Sequence, residues 1–163
     1  MIHVRIASLS MDSVSNQPVI LLRPVEEPEG EGRILPIWIG HPEATSILLA
    51  LQGVDPPRPM THDLLAGVLQ AVNYVVDRVE ITRLEEGTFF AALVLRGDER
   101  TVTIDARPSD SIALAVRTGS PIFVAEEVLD AAAVAETSQV DEEAEVEQFR
   151  EFLDHVDPSD FQG

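Results

Sequence analysis

Residues 103–124 read TIDARPSDSIALAVRTGSPIFV, and their order decides the fold class. TIDA ends an alternating run that suits a strand. Pro108 follows where a first helical turn tolerates a missing N–H, SIALAV supplies small and apolar residues, and Gly119 is a stop signal. PIFV then reads as a short buried strand. A strand, a helix and a second strand in so short a span place a helix against a sheet. Upstream, YVVDRVEITRL, TFFAALVL and RTVTIDA are separated only by EEG and GDE, which predicts an antiparallel meander.

The remainder of the chain extends this pattern. IHVRIASL alternates, PVILLRPV follows the turn-rich DSVSNQ, and RILPIWIG forms a third run ended by Gly40. HPEATSILLALQG predicts a helix with Pro42 in its first turn and Gly53 at its stop. After the proline-stiffened VDPPRPM, THDLLAGVLQAVN predicts another, capped by Thr61, with Leu64, Leu65, Val68 and Leu69 as its core face. A short helix over EEVLDAAAVAE completes the series. The expected class is therefore α+β: a twisted, mostly antiparallel sheet with three main helices and an acidic C-terminal helix or tail. The domain is expected over residues 1–133 and the acidic segment over 134–163.

Charge divides the 163-residue chain a few residues earlier, at 125/126. The formal net charge is -18, yet the first 125 residues hold 16 acids against 10 arginines, while the rest hold 13 acids against Arg150 alone. A polyanion would be repelled by the C-terminal segment more than by the domain. Val146, Phe149 and Leu153 recur there at helical spacing, which suits contact with a protein partner. All eleven basic residues are arginine, for which genome base composition is the simpler cause. No cysteine is present, so disulfides and thiolate chemistry are excluded. No apolar run approaches the ~20 residues of a membrane helix, and the start lacks a basic region followed by an apolar one, so a cytoplasmic protein without membrane association is expected.

Two helix starts concentrate the groups that could do chemistry. PRPMTHDLL brings Arg58, Thr61, His62 and Asp63 together, and DARPSD brings Asp105, Arg107, Ser109 and Asp110. Strand-end carboxylates suit a hard divalent cation, whereas arginine and unpaired helix amides suit phosphate. The same residues would equally serve as caps and ion pairs that turn a strand into a helix. Glu43, in the first turn after WIGHP, has the same two readings, and Trp38 there reads as core. Phosphate-binding glycine loops, nucleophile elbows and two-histidine zinc helices are all missing.

LPIWIGHPEA, PRPMTHDLL and IDARPSDSIALAVRTGSPIFV, in this order, closely resemble the motifs of the bifunctional nuclease domain family. The resemblance covers roughly residues 1–133. It implies an α+β domain that forms homo-oligomers and acts as a divalent-metal-dependent nuclease on RNA or DNA with low sequence specificity. On that reading Asp63, Asp105, Asp110 and Glu43 hold Mg2+ or Mn2+, and His62, with these aspartates, is catalytic. Arg58, Arg107, Thr61 and Ser109 then bind substrate. The competing expectation is a non-enzymatic oligomeric adaptor or ligand-binding regulator in which the same motifs are structural. The C-terminal helical motif that some relatives carry has no convincing counterpart in residues 134–163, which are too acidic.

Overall fold

In the computed structural model, residues 1–136 are described. They form an α+β fold with one eight-stranded, mostly antiparallel sheet and four helices. The expected acidic helix lies, from residue 137 onward, outside the described residues. Strands β1 (Ile2–Met11) and β2 (Pro18–Pro24) make an antiparallel hairpin, and β3 (Arg33–Trp38) adds to β2. Helix α1 (His41–Leu51) follows Gly40 directly, with proline in its first turn. The prolines of residues 54–60 then lead into α2 (Thr61–Ala71).

The expected meander is present as β4 (Val75–Glu85), β5 (Thr88–Arg96) and β6 (Thr101–Ala106). Glu86 and Gly87 both have positive φ at the β4–β5 turn, the backbone that a two-residue hairpin of this twist demands. Arg107 precedes α3 (Pro108–Thr118), whose first position proline can fill without losing a hydrogen bond. Gly119, at φ 67, ends that helix in the left-handed conformation glycine tolerates best.

Strand β7 (Ile122–Val124) joins the two halves. The strand order is β6-β5-β4-β7-β1-β2-β3-β8, so β7 pairs antiparallel with β1 and parallel with β4. Without those three residues the β1–β3 unit and the meander would be separate sheets. Helix α4 (Glu126–Ala132) and the two-residue β8 (Val134–Ala135) then return to β3. Glu136 accepts from the backbone N–H of Gly30 at 2.8 Å and pairs with the buried guanidinium of Arg23.

Helix α3 is the center of the helical layer. Ser111, Ile112, Ala113 and Leu114 are fully buried, and the helix packs on α1, α2, β4 and β5. The small residues let neighboring backbones approach closely. Helix α2 departs from expectation: Leu64, Leu65 and Val68 are 60%, 39% and 47% exposed, and only Leu69 packs partly against the core. His62, Asp63, Ala66 and Leu69 form the inward face instead. Thr61 is also not the cap. The preceding residue, Met60, holds that position, and its N–H donates to Asp63 at 2.9 Å. Trp38, expected in the core, is half exposed. Among the described residues no helix is long and apolar enough to cross a membrane.

The difference between α2 and α3 has a measurable consequence. Leu114→Ala is expected to cost about 2–5 kcal/mol in urea unfolding, whereas Leu64→Ala should stay within about 0.5 kcal/mol. Equal losses would place Leu64 in the core after all.

Candidate functional site

Three helices bring their polar residues to one place. Glu43 and Ser46 come from α1, His62 and Asp63 from α2, and Arg107, Asp110 and Arg117 from the start and inner face of α3. His62 is only 7% exposed and has both ring nitrogens engaged: Nδ1 lies 2.8 Å from Ser46 Oγ, and Nε2 lies 3.0 Å from Asp110 Oδ1. With Asp110 ionized, Nε2–H is the donor to it, and in the neutral ring Nδ1 accepts from the serine hydroxyl. Ser46 is itself 3% exposed, so its hydroxyl orients the imidazole and is closed to a polymeric substrate.

Asp110 leads outward from this buried pair. Its Oδ2 accepts from Arg107 Nε at 2.7 Å, and Arg107 Nη2 reaches Asp110 Oδ1 at 3.1 Å and Glu43 Oε1 at 2.8 Å. Burial would raise the Asp110 pKa, but hydrogen bonds from Arg107 and His62 outweigh it and hold the carboxyl below the ordinary aspartate value. Arg107 sits at the surface with its side chain 66% exposed. The bonds to Asp110 and Glu43 raise its pKa.

A second branch runs from Asp63 to Arg117. Arg117 Nε donates to Asp63 at 2.6 Å, and its other nitrogens donate to the carbonyls of Ala113 and Ser46 at 2.9 and 3.1 Å. One buried guanidinium thus ties all three helices. Burial would raise the Asp63 pKa, yet the bonds from Arg117 and the Met60 N–H leave it lowered.

His62, Asp63, Arg107, Asp110 and Glu43 therefore converge as the sequence motifs suggested, while the other candidates stay apart. Asp105 stands exposed on the edge strand β6, opposite Ala92, without a hydrogen bond or ion pair among the described residues. Arg58 and Thr61 are exposed and likewise make no side-chain bond there, and Ser109 is buried beside the cluster. Ser46 and Arg117 complete the network without having been singled out. Their signal was helical spacing: Ser46 lies one turn beyond Glu43, and Arg117 lies two turns beyond Asp110.

The expected set of metal ligands does not assemble. Glu43 and Asp110 share Arg107, Asp63 is held by Arg117, and Asp105 is elsewhere. Among the described residues no three His, Asp or Glu side chains are grouped to hold an ion. These donors do not fit a preformed Mg2+ or Mn2+ center, because Glu43 and Asp110 would first have to leave Arg107.

Acid should weaken this cluster. Folded-state carboxyls depressed below their unfolded values contribute stability above the unfolded pKa and lose it as pH falls through the folded one. Urea unfolding should thus show stability falling below about pH 4, the ordinary aspartate range. Asp63→Asn should flatten that dependence, and an unaltered slope in the variant would remove Asp63 from the account.

Residues 20–137 match the family model of the bifunctional nuclease domain. An uncharacterized protein of Mycobacterium tuberculosis is 46% identical over 166 aligned residues, spanning 98% of this chain and 97% of that protein. Bifunctional nuclease 1 of Oryza sativa subsp. japonica is 28% identical over 69% of this chain and 34% of its own length. Bifunctional nuclease 2 of Arabidopsis thaliana is 32% identical over 59% of this chain and 30% of its own.

Proposed function

The chain belongs to the bifunctional nuclease domain family, and from that membership and the Arg107 cluster we propose that it hydrolyzes phosphodiester bonds of RNA or DNA. The observation that carries the reading is the position of Arg107. Its guanidinium is two-thirds exposed yet held by carboxylates from two helices, Glu43 and Asp110, so it is both oriented and open to a phosphate. Charge developing on the phosphoryl oxygens in the transition state is what such a fixed cation stabilizes.

Asp110, partly exposed beside Arg107, orients the attacking water. Its depressed pKa makes it a weak proton acceptor, which favors orientation over full proton abstraction. His62 is a positioning residue: it fixes Asp110 from behind and, with both nitrogens occupied, does not itself reach substrate. Asp63 and Arg117 hold α2 and α3 in the register that makes this possible.

A second reading, the non-enzymatic adaptor or regulator, is favored by one observation. The charged groups of the cluster, apart from the outer face of Arg107, are spent on bonds within α3 and between helices, which is also what structural hardware would do.

Cleavage of labeled single-stranded RNA and DNA by purified chain, with and without Mg2+ or Mn2+, separates the two. Arg107→Gln and Asp110→Asn are expected to lose about 10²–10³ in rate, as when one oriented transition-state donor is removed. Arg107→Gln should melt near the parent temperature. Parent-like cleavage by both variants contradicts the nuclease site, and a large melting loss with no cleavage in the parent supports the structural reading.

A further inference from the structure

Next to the cluster, a groove of about 380 Å³ opens between the end of β3, the β4–β5 turn and the start of α3. Trp38, Phe89, Arg107 and Ser109 are among the residues lining it. We propose that this groove binds one unpaired nucleotide of a single-stranded nucleic acid, its base stacked on Trp38 and its phosphate held by Arg107 and Ser109. This assignment rests on the nuclease reading and supplies it with a substrate class.

The volume lies within the range of small-molecule sites, about 300–1,000 Å³. Its lining combines the two chemistries that a nucleotide needs. Trp38 is 50% exposed, on the face of β3 opposite that of its buried neighbor Ile37. A large aromatic left in water forgoes the burial that usually stabilizes it. Its Nε1–H donates to Asp12 at 3.1 Å, which anchors the indole by its edge. An aromatic face fixed this way suits stacking of a base, and any base has a face to offer.

Ser109, which also lines the groove, is 7% exposed, yet its hydroxyl has no hydrogen-bond partner among the described residues. It lies in the first turn of α3, where backbone N–H groups lack carbonyl partners and the helix dipole favors an anion. Arg107 is the residue just before that turn. An unpaired hydroxyl open to the groove on an otherwise buried serine, helix amides and an exposed guanidinium beside one another call for a phosphate.

Stacking also selects the form of the nucleic acid. A base paired inside a duplex has both faces covered, so Trp38 can meet only an unpaired one. The groove accommodates the nucleotide beside the Arg107–Asp110 pair rather than a duplex across it.

Trp38 is the sole tryptophan of the chain, so its fluorescence reports on this groove alone. The experiment is titration of the full chain with single-stranded oligothymidylate of about ten nucleotides, at low salt and with chelator present. Fluorescence quenching and anisotropy of the labeled oligonucleotide are read in parallel. Saturable quenching is expected. Trp38→Ala should weaken binding about 5- to 100-fold, from the cost of about 1–3 kcal/mol per stacked base, while Trp38→Phe should retain most of it. Ser109→Ala should weaken binding less and leave the melting temperature intact. Undiminished affinity in Trp38→Ala, equal competition by a duplex of the same sequence, or no binding at low salt overturns the proposal. Quenching without any cleavage supports the groove while the nuclease reading fails. Cleavage that ignores Trp38 leaves the nuclease reading in place and removes the groove.

Discussion

A histidine enclosed between helices must have both ring nitrogens satisfied, and that requirement organizes the functional end of this protein. An unsatisfied buried polar group costs about 1–3 kcal/mol, enough to matter in a domain of ordinary stability. His62 meets the requirement with Ser46 of α1 and Asp110 of α3, so the three helices are placed by one imidazole. Asp110 is then fixed from the inside, and its outward oxygen is left to bind Arg107. Arg117 repeats the device from the opposite direction, joining Asp63, Ala113 and Ser46. The exposed cation at the surface is thus the outermost member of a chain of bonds that begins in the core.

The sheet provides the platform on which this can happen. Because β7 lies between β4 and β1, α3 must cross the sheet from the edge strand β6 to the middle. That crossing sets its buried face of Ser111, Ile112, Ala113 and Leu114 on the meander and carries its N-terminus to the neighborhood of α1. The start of α3 and the end of β3 consequently meet at one edge of the helical layer. Arg107 and Trp38 line the same groove because of that path, although they lie 69 positions apart in the sequence.

Much of this was legible where local chemistry is decisive. Pro108 and Gly119 marked α3, and the short EEG and GDE links announced the meander, because turn and cap residues act over a few positions. The pairing of β7 with β1 was not legible, since a three-residue apolar run carries no record of its neighbors. Helix α2 misled for a related reason. Its leucines suggest a core face, but His62, Ala66 and Leu69 form an equally good helical stripe, and tertiary hydrogen bonds chose that one. DARPSD shows the limit most clearly. Asp105 and Asp110 are close in sequence, yet one ends an exposed edge strand and the other starts the inward helix, so only Asp110 meets His62.

The most direct test of this organization is the tautomer and exchange behavior of the His62 ring, read from long-range nitrogen–proton NMR correlations at neutral pH. A histidine that joins α1 to α3 must hold its Nε2 proton against Asp110 in one fixed form, with slow exchange with solvent. A ring that averages between tautomers and exchanges rapidly with water would contradict the account, because His62 would then no longer hold Asp110 to α2.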